Sequence, residues 1–315
     1  MKKLFILPIY YSLVSIIVPY LVLAAFSVGK TEAPPQAPAA TYEDTVSVFN
    51  PIDNITTTMN MTDYLTGVVA AEMPAAFEKE ALKAQAVAAR TYTMYKASLN
   101  EHDADVCTDF AHCQAYITNE EMKKVWGDDF DLYYNKIRDA VTQTEGEHLV
   151  YNEEPVMAVF HSMGGGFTEN SADVWGEAVP YLVSVESPGE ETATNYYSSH
   201  TVSFEEFKSK ITSAFPKAKI YSPEDVSDPI LTDGGHVKSI VIGSVSIPGT
   251  KIRTLFNLRS TKFDISFEND MVTFSVTGYG HGVGMSQYGA NAMAKEGKSY
   301  TEILAHFYRG TTMRE

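Results

Sequence analysis

Glu72 stands alone in an apolar stretch, Val68-Val69-Ala70-Ala71-Glu72-Met73-Pro74, and a lone carboxylate in such surroundings is suited to proton transfer. Pro74 biases Met73 out of the α region, so a helix running from about Thr62 is predicted to stop near Glu72 and leave that side chain on its last turn. The partial negative charge of a helix C-terminus and the apolar neighbours both disfavour the anion. Both push the pKa toward the range in which a carboxyl group donates a proton near neutral pH, and general acid catalysis is the chemistry expected of it. Arg90 is a second candidate. It lies in an Ala/Val-rich helical run beside Ala86, Val87 and Met94, where a guanidinium needs a partner or a polar ligand. A direct ion pair with Glu72 would lower the carboxyl pKa and spoil the acid, so Arg90 is expected to orient the site or bind substrate. The alternative is a side chain that snorkels to the surface.

His102, Cys107, His112 and Cys113 form another constellation, which contains both cysteines of the chain. Two nearby cysteines in an oxidising compartment form a disulfide by default, whereas two Cys and two His supply the four N/S ligands of a closed tetrahedral zinc site. The residues alone leave both readings open, since His-x4-Cys-x4-His-Cys is not a standard finger spacing. Ser162 beside His161 suggests a hydrolase pair, but no G-x-S-x-G elbow surrounds it and adjacent strand residues point to opposite faces. The run Gly278-Tyr279-Gly280-His281-Gly282-Val283-Gly284 lacks the Lys-Ser/Thr of a phosphate loop. It is read as a tight turn or a close backbone approach to a sugar. Trp175, Tyr181 and Tyr288 are either platforms for sugar rings or core residues.

The elements that must position these groups form an α+β pattern. After the helix ending at Glu72, a second helix is predicted to open with Glu78 and Glu80 in its first turn and to continue through Ala97. A hairpin is expected from Glu147–Tyr151 and Val156–Phe160 across residues 152–155, with Val156, Ala158 and Phe160 facing inward. Ser203 with Glu206 opens a helix to about Ala214. Strands are expected at His236–Ile247, Lys262–Phe267 and Met271–Val276, followed by helices at Met285–Lys295, ended by Gly297, and Tyr300–His306. Strand and helix do not alternate cleanly, which argues against a doubly wound parallel sheet.

The 315 residues, 44% of them hydrophobic, suffice for one large domain or two intimately packed ones. A net charge of −16 argues against a nucleic-acid partner and against docking on anionic lipid head groups. The segment from Leu4 to Val28 carries no charge and follows Lys2 and Lys3, which predicts a single membrane-spanning anchor over residues 1–28 with the rest of the chain outside the cytoplasm. A cleaved signal peptide is the competing reading, disfavoured by the length of the apolar run and the lack of an A-x-A site. Residues 29–60, rich in Pro, Ala and Thr at their start, are read as a linker, and residues 61–315 as the ectodomain.

Three stretches together carry a resemblance. Residues 65–95 (LTGVVAAEMPAAFEKEALKAQAVAARTYTMY), the run His161-Ser162-Met163-Gly164-Gly165-Gly166-Phe167-Thr168-Glu169-Asn170 with Asp173-Val174-Trp175-Gly176 and Pro180-Tyr181-Leu182, and Gly280-His281-Gly282-Val283-Gly284-Met285-Ser286-Gln287-Tyr288-Gly289-Ala290 occur in the order found in the stage II sporulation protein D family. The chain resembles that family of peptidoglycan lytic transglycosylases from about residue 60 to 312. The resemblance implies that Glu72 is the catalytic glutamate, that Arg90, Ser162, Asn170, Tyr181 and Gln287 bind substrate, and that the substrate is glycan already stripped of peptides. It implies an amidase and a membrane protein of the same engulfment machinery as partners. Clostridial members bind zinc through two Cys and two His in the corresponding segment, so it also implies a structural zinc on His102, Cys107, His112 and Cys113. Where the family's central motif usually has Ser/Thr-type residues and a Tyr, this chain has Met163, Gly164 and Phe167, so hydroxyls that would bond sugar groups there are absent.

Overall fold

In a computed structural model the chain is described for residues 45–315 apart from residues 100 and 102. The expected anchor over residues 1–28 and the ligand candidate His102 lie outside the described residues. Among the described residues no helix is long and apolar enough to cross a membrane.

The stretch read as linker up to residue 60 is strand from Thr45 onward. Thr45–Asn50 and Ile55–Asn60 pair antiparallel, and Val46 and Val48 alternate into the core with the period of two that a half-buried strand requires. Thr45–Asn50 also pairs in parallel with Val106–Cys107, which places Cys107 opposite Phe49. Asn60 ends the hairpin and caps the next helix, Met61–Glu72, its side chain accepting from the Thr62 and Asp63 amides at 2.9 and 3.4 Å. The helix stops where Pro74 requires, with Met73 extended at φ −118° and ψ 141°. The second helix, Lys79–Leu99, buries Leu82, Val87 and an alanine face against the first.

Two helices that the sequence left as mixed structure follow, Asn119–Trp126, opened by a Thr118–Glu121 capping box, and Phe130–Thr142. Ile137 and Val141 of the latter complete a core with Leu65, Val68, Val69 and the C-terminal residues Leu304, Phe307 and Tyr308. A second core lies in residues 202–276, where Phe207, Phe256 and Phe274 pack among Ile240, Ile247 and Ile252. Its sheet pairs Met271–Thr277 with Phe263–Glu268 on one side and Tyr197–Ser203 on the other, all antiparallel. The reversal at Asn269-Asp270 has both residues at positive φ, as a tight hairpin turn demands.

The expected hairpin at 147–160 is shorter than its sequence pattern. His148–Tyr151 pairs with Glu154–Pro155 alone and, on its other edge, with Thr312–Arg314. Beyond Val156 the amides of Ala158 and Val159 turn back to the carbonyls of Val156 and Met157, both at 2.8 Å, so the alternation of Val156 and Ala158 reflects burial of an irregular segment. Phe160–His161 then pairs in parallel with Met285–Ser286, and Glu169 N–H donates to Gly282 O at 2.7 Å. The central and C-terminal motifs are thereby joined.

Candidate active site

Pro74 leaves Glu72 on the last turn of its helix, half-buried at the wall of a cleft of about 700 Å³. Its Oε1 accepts from the Ala115 amide at 2.9 Å and its Oε2 faces Gln287 Nε2 at 3.5 Å. Burial raises the pKa of Glu72, and the two hydrogen bonds, which favour the anion, offset only part of that effect. Ala115 and Gln287 come from different parts of the chain. The cleft also takes His161 and Ser162 from the central motif, Trp175 from the helix after it, Tyr279–His281 from the C-terminal motif, and Tyr92 and residues 110–115 from the opposite side. Among the described residues that line it, Glu72 is the only carboxylate and no lysine or arginine is present.

His161 and His281 are held in the neutral form by burial. His161 is buried and directs Nδ1 at the Val283 carbonyl, 3.1 Å away, while the Val283 amide donates to His281 Nδ1 at 3.0 Å. The first contact fixes the proton of His161 on Nδ1, and the second fixes that of His281 on Nε2. Burial lowers both pKa values to about 3. Neither ring serves as an acid near neutral pH. Trp175 and Tyr279 line the cleft and are exposed over nearly half their surface.

Of the substrate-binding candidates, Ser162 and Gln287 line the cleft and three do not. Arg90 is buried away from it, with Nη1 donating to the carbonyls of Thr144 at 2.6 Å and Glu147 at 3.1 Å and Nη2 to that of Val141 at 3.4 Å. It closes the C-terminus of the Phe130–Thr142 helix, whose last carbonyls have no intrahelical donor. Burial lowers its pKa to about 10, so it remains charged. Asn170 accepts from the Ser184 amide at 2.9 Å and donates to Asp173 at 3.2 Å and to Asp233 at 3.4 Å. Tyr181 packs against Tyr151 with the ring centroids 5.5 Å apart and the planes tilted by 51°, and its hydroxyl accepts from the Met157 amide at 2.9 Å. Tyr288 packs edge-on against Phe77. The two other motif carboxylates also point elsewhere. Glu169 is buried against Thr232 Oγ1 at 2.7 Å, and Asp173 pairs with Lys238 at 2.8 Å.

Cys107, His112 and Cys113 bring two sulfurs and an imidazole nitrogen within 4.8 Å of one another, with His112 Nδ1 3.5 Å from Cys107 Sγ and 3.4 Å from Cys113 Sγ. Both cysteines are free thiols. This donor set suits a soft divalent ion. Its loop is also part of the cleft, since residues 110–115 line it and Ala115 supplies the amide on Glu72. Two features had no sequence signal. Ala115 contributes through its backbone alone, and Glu190 is buried with Oε1 accepting from Gly164 N and Ser187 Oγ, both at 2.7 Å, and from Ser286 Oγ, while Oε2 accepts from Gly166 N at 2.9 Å. That carboxylate holds the glycine turn of the central motif to the start of the helix carrying Gln287.

Residues 53–151 match the family described as Stage II sporulation protein. The chain is 37% identical over 275 residues to stage II sporulation protein D of Bacillus subtilis (strain 168), covering 86% of this chain and 79% of that protein. It is 36% identical over 275 residues to stage II sporulation protein D of Bacillus amyloliquefaciens, with 86% and 78% covered. A Bacillus subtilis (strain 168) protein named amidase enhancer is 32% identical over 300 residues, covering 79% of this chain and 40% of that protein. With its first and third motifs meeting at Glu72 and Gln287 and its similarity extending over most of the described residues, the chain belongs to the stage II sporulation protein D family.

Proposed function

We propose that this chain is a membrane-anchored peptidoglycan lytic transglycosylase acting in sporulation. The observation that carries this reading is that Glu72, with its raised pKa, is the only carboxylate among the described residues lining the cleft. Hydrolytic glycosidases ordinarily need two carboxylates flanking the scissile bond. A transglycosylase that uses the substrate's own hydroxyl as nucleophile needs one. Protonated Glu72 would donate to the glycosidic oxygen between N-acetylmuramic acid and N-acetylglucosamine as an oxocarbenium-like state forms. The resulting carboxylate, steadied by Ala115 N–H and Gln287, would take the proton of the muramoyl C6 hydroxyl as that oxygen closes a 1,6-anhydro ring. Trp175 and Tyr279 supply ring faces for sugars.

Zinc is the ion proposed for Cys107, His112 and Cys113, with His102 as the fourth ligand. Its part would be structural, holding the loop that ends at Ala115. The apolar segment from Leu4 to Val28 would keep the protein at the membrane with its cleft facing the wall. An amidase and a membrane protein are the proposed partners, on the strength of the family resemblance.

The name of the amidase enhancer relative favours a second reading, a non-catalytic wall-binding module that activates an amidase. A third is a zinc amidase that cuts the muramoyl–peptide bond. Incubating the full-length protein in detergent with peptide-free glycan strands, and separately with intact peptidoglycan, distinguishes the three by mass spectrometry. Anhydro-muramoyl ends that disappear in Glu72→Gln are expected. Cleavage by Glu72→Gln within about tenfold of wild type would sink the assignment, because general acid–base catalysis contributes ~10²–10⁴-fold. Released peptides would favour the zinc amidase, and glycan binding without new ends would favour the activator.

A further inference from the structure

Phe110 lines the cleft from the segment that carries the two cysteines, a different stretch of chain from Trp175 and Tyr279, and the chemistry above does not use it. With 79% of its surface open it is the most exposed Phe or Trp among the described residues. A phenyl ring gains by leaving water wherever apolar surface is within reach, and elsewhere in the molecule such rings do so. Phe207, Phe256 and Phe274 are fully buried, and Phe77 packs edge-on against Tyr288.

The exposure does not come from a loose segment. Phe110 opens a turn that its neighbours close, in which the Asp109 carbonyl accepts from the His112 amide at 3.0 Å and the Cys113 amide at 2.7 Å, while Asp109 Oδ1 accepts from the Ala111 amide at 2.9 Å. Both sides of the turn are fastened to regular structure. Before it, the Thr108 amide donates to the Phe49 carbonyl at 3.0 Å. After it, the buried Gln114 donates through Nε2 to Thr93 Oγ1 at 3.1 Å and to the Ala89 carbonyl at 3.4 Å, both in the helix Lys79–Leu99. A ring carried on so fixed a backbone loses little freedom when a ligand covers it.

The chemistry of the ring limits what that ligand is. A phenyl group has no donor, acceptor or charge, so it recognises apolar surface alone. The glycan-cleaving reading, on which this step rests, supplies such a surface, because a pyranose ring is polar around its hydroxyl-bearing edge and apolar on the face where its axial C–H bonds project. We propose that Phe110 forms a sugar subsite of the cleft, separate from that at Trp175, by stacking on the C–H face of a pyranose ring of the glycan strand. One segment then serves the site twice, Ala115 giving its amide to the acid and Phe110 its ring to the substrate.

Binding tests this apart from catalysis. The full-length Glu72→Gln protein in detergent is titrated with peptide-free glycan strands, and Phe110→Ala, Phe110→Leu and Phe110→Trp are added to it in turn. Phe110→Ala should weaken binding about tenfold. Phe110→Trp should stay within about threefold of the parent, and Phe110→Leu, apolar but without a flat face, should recover at most part of the loss. A ring that merely propped the loop would act through Ala115, so cleavage by Phe110→Ala with Glu72 intact supplies a second readout. There KM should rise while the alkaline limb of the pH profile and the melting temperature stay in place. Full affinity in Phe110→Ala or in Phe110→Leu, or lost affinity accompanied by a shifted limb, would overturn the subsite and leave the glycan-cleaving reading standing. Failure of the Glu72→Gln parent to bind the strands would overturn both.

Discussion

Glu72 is held between opposing influences, with burial favouring the neutral carboxyl and the Ala115 amide and Gln287 favouring the anion. Because burial wins, the folded chain binds this proton more tightly than the unfolded chain. The stability Glu72 contributes is therefore fully present below the unfolded pKa and lost as pH rises through the higher folded value. Glutamine carries no such dependence. The melting temperature of Glu72→Gln relative to wild type should rise as pH increases upward from the ordinary carboxylate range, and an offset that stays constant with pH would contradict the raised pKa. Gln287→Met removes a bond that favours the anion, so the pKa should climb further. The alkaline limb of the cleavage profile, where the acid loses its proton, should then move to higher pH. Arg90 is read differently at this scale. Its three carbonyl contacts predict a loss of about 2–4 kcal/mol for Arg90→Ala in denaturant unfolding, since a buried hydrogen-bonded cation is removed from acceptors left bare. Cleavage per folded molecule should change little, because the guanidinium does not reach the cleft.

At the scale of elements, the segment from Cys107 to Ile117 sets the position of the acid. One end is tied by the pairing of Cys107 with Phe49, and the other passes over Gly67 in the helix that carries Glu72. A Cβ on Gly67 would lie 2.3 Å from Tyr116 Cε2 and 2.8 Å from the Ile117 carbonyl, so glycine is required there for close approach. Gly67→Ala should destabilise by about 1–3 kcal/mol through overpacking. By pushing residues 115–117 away it should also weaken the Ala115 bond to Glu72. Its alkaline limb should shift in the same direction as that of Gln287→Met, and an unshifted limb would show that Ala115 is held by other contacts. If zinc occupies the Cys107, His112 and Cys113 cluster, a strong chelator should lower the melting temperature and speed proteolysis within residues 102–113. About one zinc per chain is expected by elemental analysis. Absence of zinc together with a Cys107–Cys113 disulfide in protein purified without oxidant would remove the metal from this account.

Across the whole molecule, the two apolar cores lie in different stretches of chain, one built mainly on helices before residue 160 and after 283, the other on the strands between 202 and 276. The central and C-terminal motifs join them. Glu190 is the polar centre of that junction, and four donors converge on its two oxygens. Glu190→Ala would leave those donors buried and unpaired, at a cost of about 3–5 kcal/mol. Glu190→Gln keeps an acceptor on one side and turns an amide N–H toward a donor on the other, so a smaller loss is expected. Equilibrium unfolding in denaturant measures both, and equal stability of Glu190→Ala and wild type would show the cluster to be replaceable by water.

What the sequence by itself determined was local. Pro74 ends the helix at Glu72, Ser203 caps the helix that follows it, and Asn269-Asp270 reverses the chain, because each effect acts within a few residues. The order of the three motifs was equally legible, as was the pairing of Glu72 with an apolar setting. Tertiary structure decided which polar residues meet. Arg90, Asn170 and Tyr181 look like ligand-binding groups in the chain, yet each is engaged by backbone groups 14–57 residues away, at Thr144 and Glu147, at Ser184, and at Met157. Conversely Ala115 and Glu190 have no local pattern that marks them. A backbone amide aimed at a carboxylate, or a carboxylate gathering donors from two motifs, exists only once distant segments are packed, because such contacts are set by the shape of the core and not by spacing along the chain.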